Sequence, residues 1–278
     1  MGGLHEAALV LAAALVLAGC GGTKSSSGSA AASQSTGSSQ NAPAIAVQKE
    51  RITEQFTLEK TVRSEWGSAQ KLTIHVPQLV CDSPDAEYIN NELAAMYAAE
   101  YRDYESYPQA EVSQDEWCPQ IYIDWDAYWY GDCVSLVVRS RYGGTAPWRY
   151  SGWCFDFATS RQLTVAEMLQ RMGLDPDEVQ QQVQRQAMQA FDREMAQGAY
   201  YEGLRLGGEL SQMRMDTLEY NELENLCLLL PEQDQLVLRG KYSCEEGWQQ
   251  LDMELSLPPD DTPVLTDTYD GVQVQLEG

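Results

Sequence analysis

Residues 121–142 read "IYIDWDAYWYGDCVSLVVRSRY", and how they are read decides the fold. Ile121, Ile123, Trp125, Ala127 and Trp129 alternate with Tyr122, Asp124, Asp126, Tyr128 and Tyr130, a period of two that predicts a strand with an apolar face and a polar one. Gly131-Asp132 is the predicted hairpin turn, and the returning strand puts Val134, Leu136 and Val138 on one face. In the next stretch, "WRYSGWCFDF" at 148–157, Trp153, Phe155 and Phe157 share a face, which leaves Cys133 and Cys154 on the opposite side. The expectation is a sheet with one face in the core and the other wet.

Working outward, residues 51–63 and 70–80 alternate around "SEWGSA" and predict a long hairpin. A helix follows, capped by Ser83 with Pro84 at its first position, and Ile89, Leu93, Met96, Tyr97, Tyr101 and Tyr104 recur along one side. After the central strands, Thr164 and Glu167 form a capping box. Asp175, Pro176 and Glu178 open a second helix, with Leu174 and Val179 placed to make a hydrophobic staple. Val179, Val183, Ala187, Ala190, Phe191 and Met195 then trace a single apolar stripe expected to lie on the sheet. Residues 199–222 give no decisive period, and 225–258 read as three strands. The predicted fold class is α+β: a mainly antiparallel twisted sheet packed against a few helices.

The leader has its own logic. The run Leu4 to Leu17 is apolar except for His5 and Glu6 and falls short of the roughly 20 residues that span a bilayer. It reads as the apolar region of a signal peptide, and Leu17-Ala18-Gly19-Cys20 resembles a bacterial lipobox. Residues 1–19 are then a lipoprotein signal peptide and Cys20 the lipidation site. Each buried CH₂ contributes about 0.8 kcal/mol, so the chains on Cys20 make a lasting membrane anchor on the outer face of the bacterial cytoplasmic membrane. Residues 20–48, rich in Ser, Gly and Ala, bury too little to order themselves and read as a disordered tether with a reach on the order of 30 Å.

Charge and cysteine usage narrow the partners. The chain carries 42 acidic against 18 basic residues, a formal −24, and removal of the leader takes away only Glu6. Such a field disfavours nucleic acid and attracts cationic proteins. Beyond Cys20 stand Cys81, Cys118, Cys133, Cys154, Cys227 and Cys244, an even set that permits three disulfides with no pairing fixed by spacing. No close-spaced cysteine pair is present and the mature chain keeps only His75, so no metal site is expected.

The order of parts resembles the extracytoplasmic domain of RsiV-like proteins, a family of unknown function often preceded by a smaller companion domain. The resemblance is carried by Val76-Pro77-Gln78-Leu79, "AEYINNELAAMY", "CVSLVVRSRYGGTAPW", "GWCFDFATSRQLTVAEML" and "NLCLLLPEQDQLVLRGKYSC". It implies a companion-like hairpin and helix at 49–110, an RsiV-like α+β part at 111–258 and an acidic tail at 259–278. The family's usual Gly-Gly-Ala-His-Gly turn is here Gly143-Gly144-Thr145-Ala146-Pro147, so its histidine is missing. In the sensor that names the group this domain binds lysozyme and acts on a sigma factor through a transmembrane segment. No second apolar run here is long enough for one, so the expectation is ligand binding outside the cell without that route.

Little catalytic chemistry is on offer. His75 sits in a predicted strand, "KLTIHVPQL", and reads as structural; nucleophile-elbow, Walker and Rossmann patterns are absent from the sequence. Asp124 and Asp126 share a strand face, where they read as solvated rather than as an acid–base pair across a cleft. Tyr142, Gly143, Gly144, Trp148 and Tyr150, around the glycine turn, are the candidate ligand-binding residues, since exposed rings stack on sugar faces. The reading is a noncatalytic, cofactor-free binding or sensing module for a cationic protein such as lysozyme or for a cell-wall glycan. The rivals are an envelope enzyme using Asp and Glu residues, and a structural lipoprotein of an envelope complex.

Overall fold

The first hairpin forms where alternation placed it: β1 (Ile52–Arg63) pairs antiparallel with β2 (Ala69–Leu79), with a bulge between Glu54 and Phe56. In the computed structural model the described residues are 50–63, 69–106, 121–143, 146–196, 209–232, 235–244, 247–257, 264–268 and 274–275. Cys20, Cys118, Gly144 and the tether lie outside them.

Helix α1 (Pro84–Ser106) starts on the expected cap, Ser83 Oγ accepting from Ala86 N at 3.1 Å. Its face of Ile89, Leu93 and Tyr97 is buried, whereas Met96, expected on that face, is 43% exposed. The helix is tied to the sheet at both ends of its first turns. Asn90 exchanges two hydrogen bonds with the backbone of Leu79, and Asp85 accepts from Gln162 N at 2.9 Å.

The central strands follow: β3 (Ile121–Tyr130), β4 (Cys133–Tyr142), β5 (Arg149–Asp156) and the short β6 (Arg161–Leu163). Gly131, at φ +59°, opens the two-residue turn that joins β3 to β4, a conformation open to glycine and costly for other residues. The sheet runs β1-β2-β3-β4-β5-β6, antiparallel except at β2–β3, where two residue pairs align in parallel. Strands β1 and β2, from the part expected at 49–110, and β3 to β6, from the part expected at 111–258, therefore share one sheet.

Past β6, α2 (Val165–Arg171) carries the predicted Thr164–Glu167 capping box, and α3 (Pro176–Met195) starts on Asp175, which accepts from Asp177 N at 2.9 Å. All six stripe residues of α3 are buried. The undecided stretch holds α4 (Glu209–Tyr220). Then β7 (Cys227–Glu232), β8 (Gln235–Cys244) and β9 (Gly247–Ser256) make a second, three-stranded sheet. Within the predicted tail, β10 (Val264–Thr268) pairs with residues 126–130 of β3 and with the short β11 (Val274–Gln275). Among the described residues no helix is long and apolar enough to cross a membrane.

Two cores result. One packs Trp129, Val134, Leu136 and Phe155 with Ile89 and Leu93 of α1. The other packs Tyr128, Tyr130, Val137 and Cys154 with Leu228, Val237 and Met253 of the second sheet and with α2 and α3. Full burial of such side chains contributes roughly 1.5–3 kcal/mol each. The expectation of a wet face on β3 is thus corrected: the second sheet covers it, and Asp124 has no exposure at all. A charge survives there because register sets Arg139 directly opposite Asp124, and the guanidinium grips both carboxylate oxygens, one at 2.9 Å. Tyr122 adds its hydroxyl to the same carboxylate.

Cys133 and Cys154 take the predicted side, and no disulfide joins Cys81, Cys133, Cys154 or Cys227, so the three bonds that an even set permits do not all form. Cys81, Cys133, Cys154 and Cys227 are free thiols. Burial pushes both Cys154 and Cys227 up to about 12, far from the range in which a thiol reacts.

Candidate functional site

The two sheets are stitched together at Ser135, whose hydroxyl donates to Leu228 O at 2.6 Å. Toward the other end of β5 they frame a cleft of about 550 Å³, within the usual range for small-molecule sites. Trp148 and Tyr150 form one wall. Arg239, Lys241 and Trp248 form the other, and Tyr220 stands at the C-terminal end of α4.

Each wall is built by alternation. On β5 the even positions face the second sheet, so Tyr150 lies on the same side as Cys154 and opposite Arg139 in register. On β8 and β9, Arg239 pairs across with Asp252 and Lys241 with Gln250, which places the cationic side chains of β8 beside polar ones of β9. The Arg239–Asp252 pair is bidentate, 2.7 Å at both contacts, and Arg239 also covers the Tyr150 ring at 4.3 Å. Burial works against the Asp252 carboxylate, but the guanidinium outweighs it and holds the group below the usual carboxylate range. Burial pushes the Tyr150 phenol up, opposed by Arg239, so it remains a neutral hydroxyl.

Lys241 is held differently. Its ammonium lies 4.2 Å from the Tyr220 ring centre and 5.3 Å from that of Trp248. The junction that delivers it is rigid: Asn221 is buried and donates to Lys241 O at 2.7 Å and to Thr217 O at 2.6 Å, while Gln180 spans Asn221 O and Leu223 N. Gly240 makes this possible, because a Cβ there would run into Asn221 Oδ1. Arg141, beside the cleft and not among its lining residues, stands over the Trp148 ring at 4.7 Å, and Tyr122 meets that ring edge-on at 5.1 Å.

Of the residues expected to bind ligand, Trp148 and Tyr150 meet in this cleft and both are half-buried. Tyr142 is not among its lining. It lies on the α1 face of β4, where burial pushes its phenol up to about 12 and Arg149 stands 6.0 Å from its ring centre. Gly143 ends β4 at φ +86°, and Gly144 lies outside the described residues. Sequence reading missed Tyr220, Lys241 and Trp248. The one available signal was the pairing of Lys241 with the start of β9 across the β8–β9 turn.

The other chemically suggestive residues sit elsewhere. His75 bridges Glu54 at 2.9 Å and Glu59 at 3.3 Å on the first hairpin. Asp156 accepts from Thr159 and Ala158 and pairs with Arg171 at 2.6 Å; these contacts overcome its burial and lower its pKa. Among the described residues no cluster of His, Cys, Asp and Glu could hold a metal ion. Compared with models of protein families and with curated proteins, the chain matches none.

Proposed function

We propose that this chain is a noncatalytic binding or sensing module, held by lipid on Cys20 at the outer face of a bacterial cytoplasmic membrane, that takes a cell-wall glycan in the cleft between its sheets. The observation that carries this reading is the convergence of Trp148, Tyr150, Tyr220 and Trp248 on one cleft of small-ligand size. Flat rings offer apolar faces to sugars, and the Gln250 side chain and the Tyr150 hydroxyl offer hydrogen bonds at the edges. The noncatalytic part is supported by Asp124, whose carboxylate is enclosed in an ion pair, and by His75, which is engaged by two glutamates on another part of the molecule. The RsiV-like resemblance is a proposal of the same kind, carried by the short motifs quoted above.

The test is cosedimentation of residues 21–278 with insoluble cell wall. Binding that disappears in a Trp148→Ala Trp248→Ala double variant of unchanged melting temperature is the expected result. Binding indifferent to both rings, or release of soluble wall fragments, would overturn the reading. The formal charge of −24 favours a second reading, a cationic protein docked on the acidic surface. Lysozyme binding that weakens steeply with salt and ignores the two tryptophans would select it.

A further inference from the structure

The cations in and beside the cleft bear on the charge of a ligand it could take. In a chain with 42 carboxylates and 18 basic residues, a lysine or arginine has many neutralising partners to choose from. Arg139, Arg171 and Arg239 each take an aspartate. Lys241 and Arg141 do not: among the described residues neither makes an ion pair, and both rest on aromatic rings. A ring face attracts a cation through its quadrupole, by about 0.5–2 kcal/mol, without cancelling its charge. The rings therefore fix the position of these two groups while leaving their N–H donors for another acceptor. Glu219, which also lines the cleft, is exposed and forms no ion pair with either.

We infer that the cleft selects an anionic glycan: a saccharide whose carboxylate or phosphate is received by Lys241, with Arg141 at the Trp148 side, while its ring lies against Trp148 or Trp248. This rests on the cleft reading above and sharpens it by naming the ligand's charge. Net protein charge predicts the opposite sign of ligand, so the inference lives on the local arrangement alone. Over a Debye length of about 8–10 Å the distant carboxylates are screened, whereas contact at Lys241 is not.

The experiment titrates residues 21–278 with three probes: trigalacturonate, which has a carboxylate on every sugar; maltotriose, its neutral counterpart in length; and a short glycerol-phosphate oligomer. Binding is read by calorimetry and by tryptophan fluorescence. One charge-assisted hydrogen bond gained is worth about tenfold or more in affinity, so at least one anionic probe is expected to bind about tenfold tighter than maltotriose. Which one does so identifies carboxylate or phosphate as the source of the anion. Lys241→Gln is expected to abolish that advantage while maltotriose still binds, and Arg141→Gln to reduce it in part. Equal binding of maltotriose and both anionic probes would overturn the inference while leaving the cleft as a glycan site. Failure of both anionic probes, with wall sedimentation still dependent on Trp148 and Trp248, would overturn it in the same way. Failure of all probes together with ring-independent sedimentation would remove the cleft reading as well.

Discussion

Arg139 and Lys241 are both strand cations facing the space between the two sheets, and they are held in opposite ways. Arg139 is locked onto Asp124, a carboxylate with no solvent exposure, and lies 3.6 Å from Asp126. Lys241 lies against two aromatic rings at a cleft open to solvent. The first arrangement cancels charge where water is excluded; the second keeps charge where a ligand can reach it. The difference separates a group that belongs to folding from one that belongs to recognition, even though both sit in the same intersheet layer.

The comparison breaks first at Asp124. Asp124→Ala leaves Arg139, one-third exposed, with Asp126 as its remaining counter-ion, and is expected to cost about 1.5–3 kcal/mol in denaturant unfolding through the lost charge-assisted hydrogen bonds. Next comes Gly240→Ala, which forces Asn221 off β8; a loss of about 1–3 kcal/mol is expected, together with weaker ligand binding as Lys241 shifts. Asp156 sharpens the neutralised side of the comparison through pH. Its folded pKa is depressed, so its stabilisation is fully present above the ordinary carboxylate range and is lost as pH falls through the folded value. Asp156→Asn should therefore flatten that part of the acid limb in a plot of stability against pH and lower stability near neutrality. At the small end, Lys241→Gln should cost about 0.5–1 kcal/mol, the cation–π attraction at a partly exposed site, since it removes no buried pair. A large stability loss in that variant would erase the distinction drawn here.

Much of the fold was legible because the strongest signals were local. The alternation of 121–157, the Gly131-Asp132 turn, the capping box at Thr164 and the stripe of α3 each fix geometry within a few residues. The α+β class followed from them. What escaped was long-range. Alternation shows that Tyr122, Asp124 and Tyr128 share a face but not that a second sheet, from residues 227–256, covers it. The Asp124–Arg139 pair was within reach, since the predicted turn already sets that register, yet an aspartate on a strand reads as solvated until its partner is paired with it. At the site, Trp148 and Tyr150 were identified by their place after a glycine turn, and Tyr142 was added by proximity in sequence although the pleat sends it to the other side of the sheet. Tyr220 and Lys241 come from separate segments of the chain, joined through Asn221 and through Thr217, which accepts from Ser243 N, and local period carries no trace of such a junction.

The late strand β10 has a consequence for how the molecule behaves in company. On its outer side β3 meets β2 through residues 122 and 123 and β10 through residues 126–130. A chain clipped before residue 264 would bare the amides and carbonyls of residues 126–130, and a naked strand margin of that kind recruits a neighbour's strand. Proteolytic trimming of this end should therefore increase self-association relative to the intact chain.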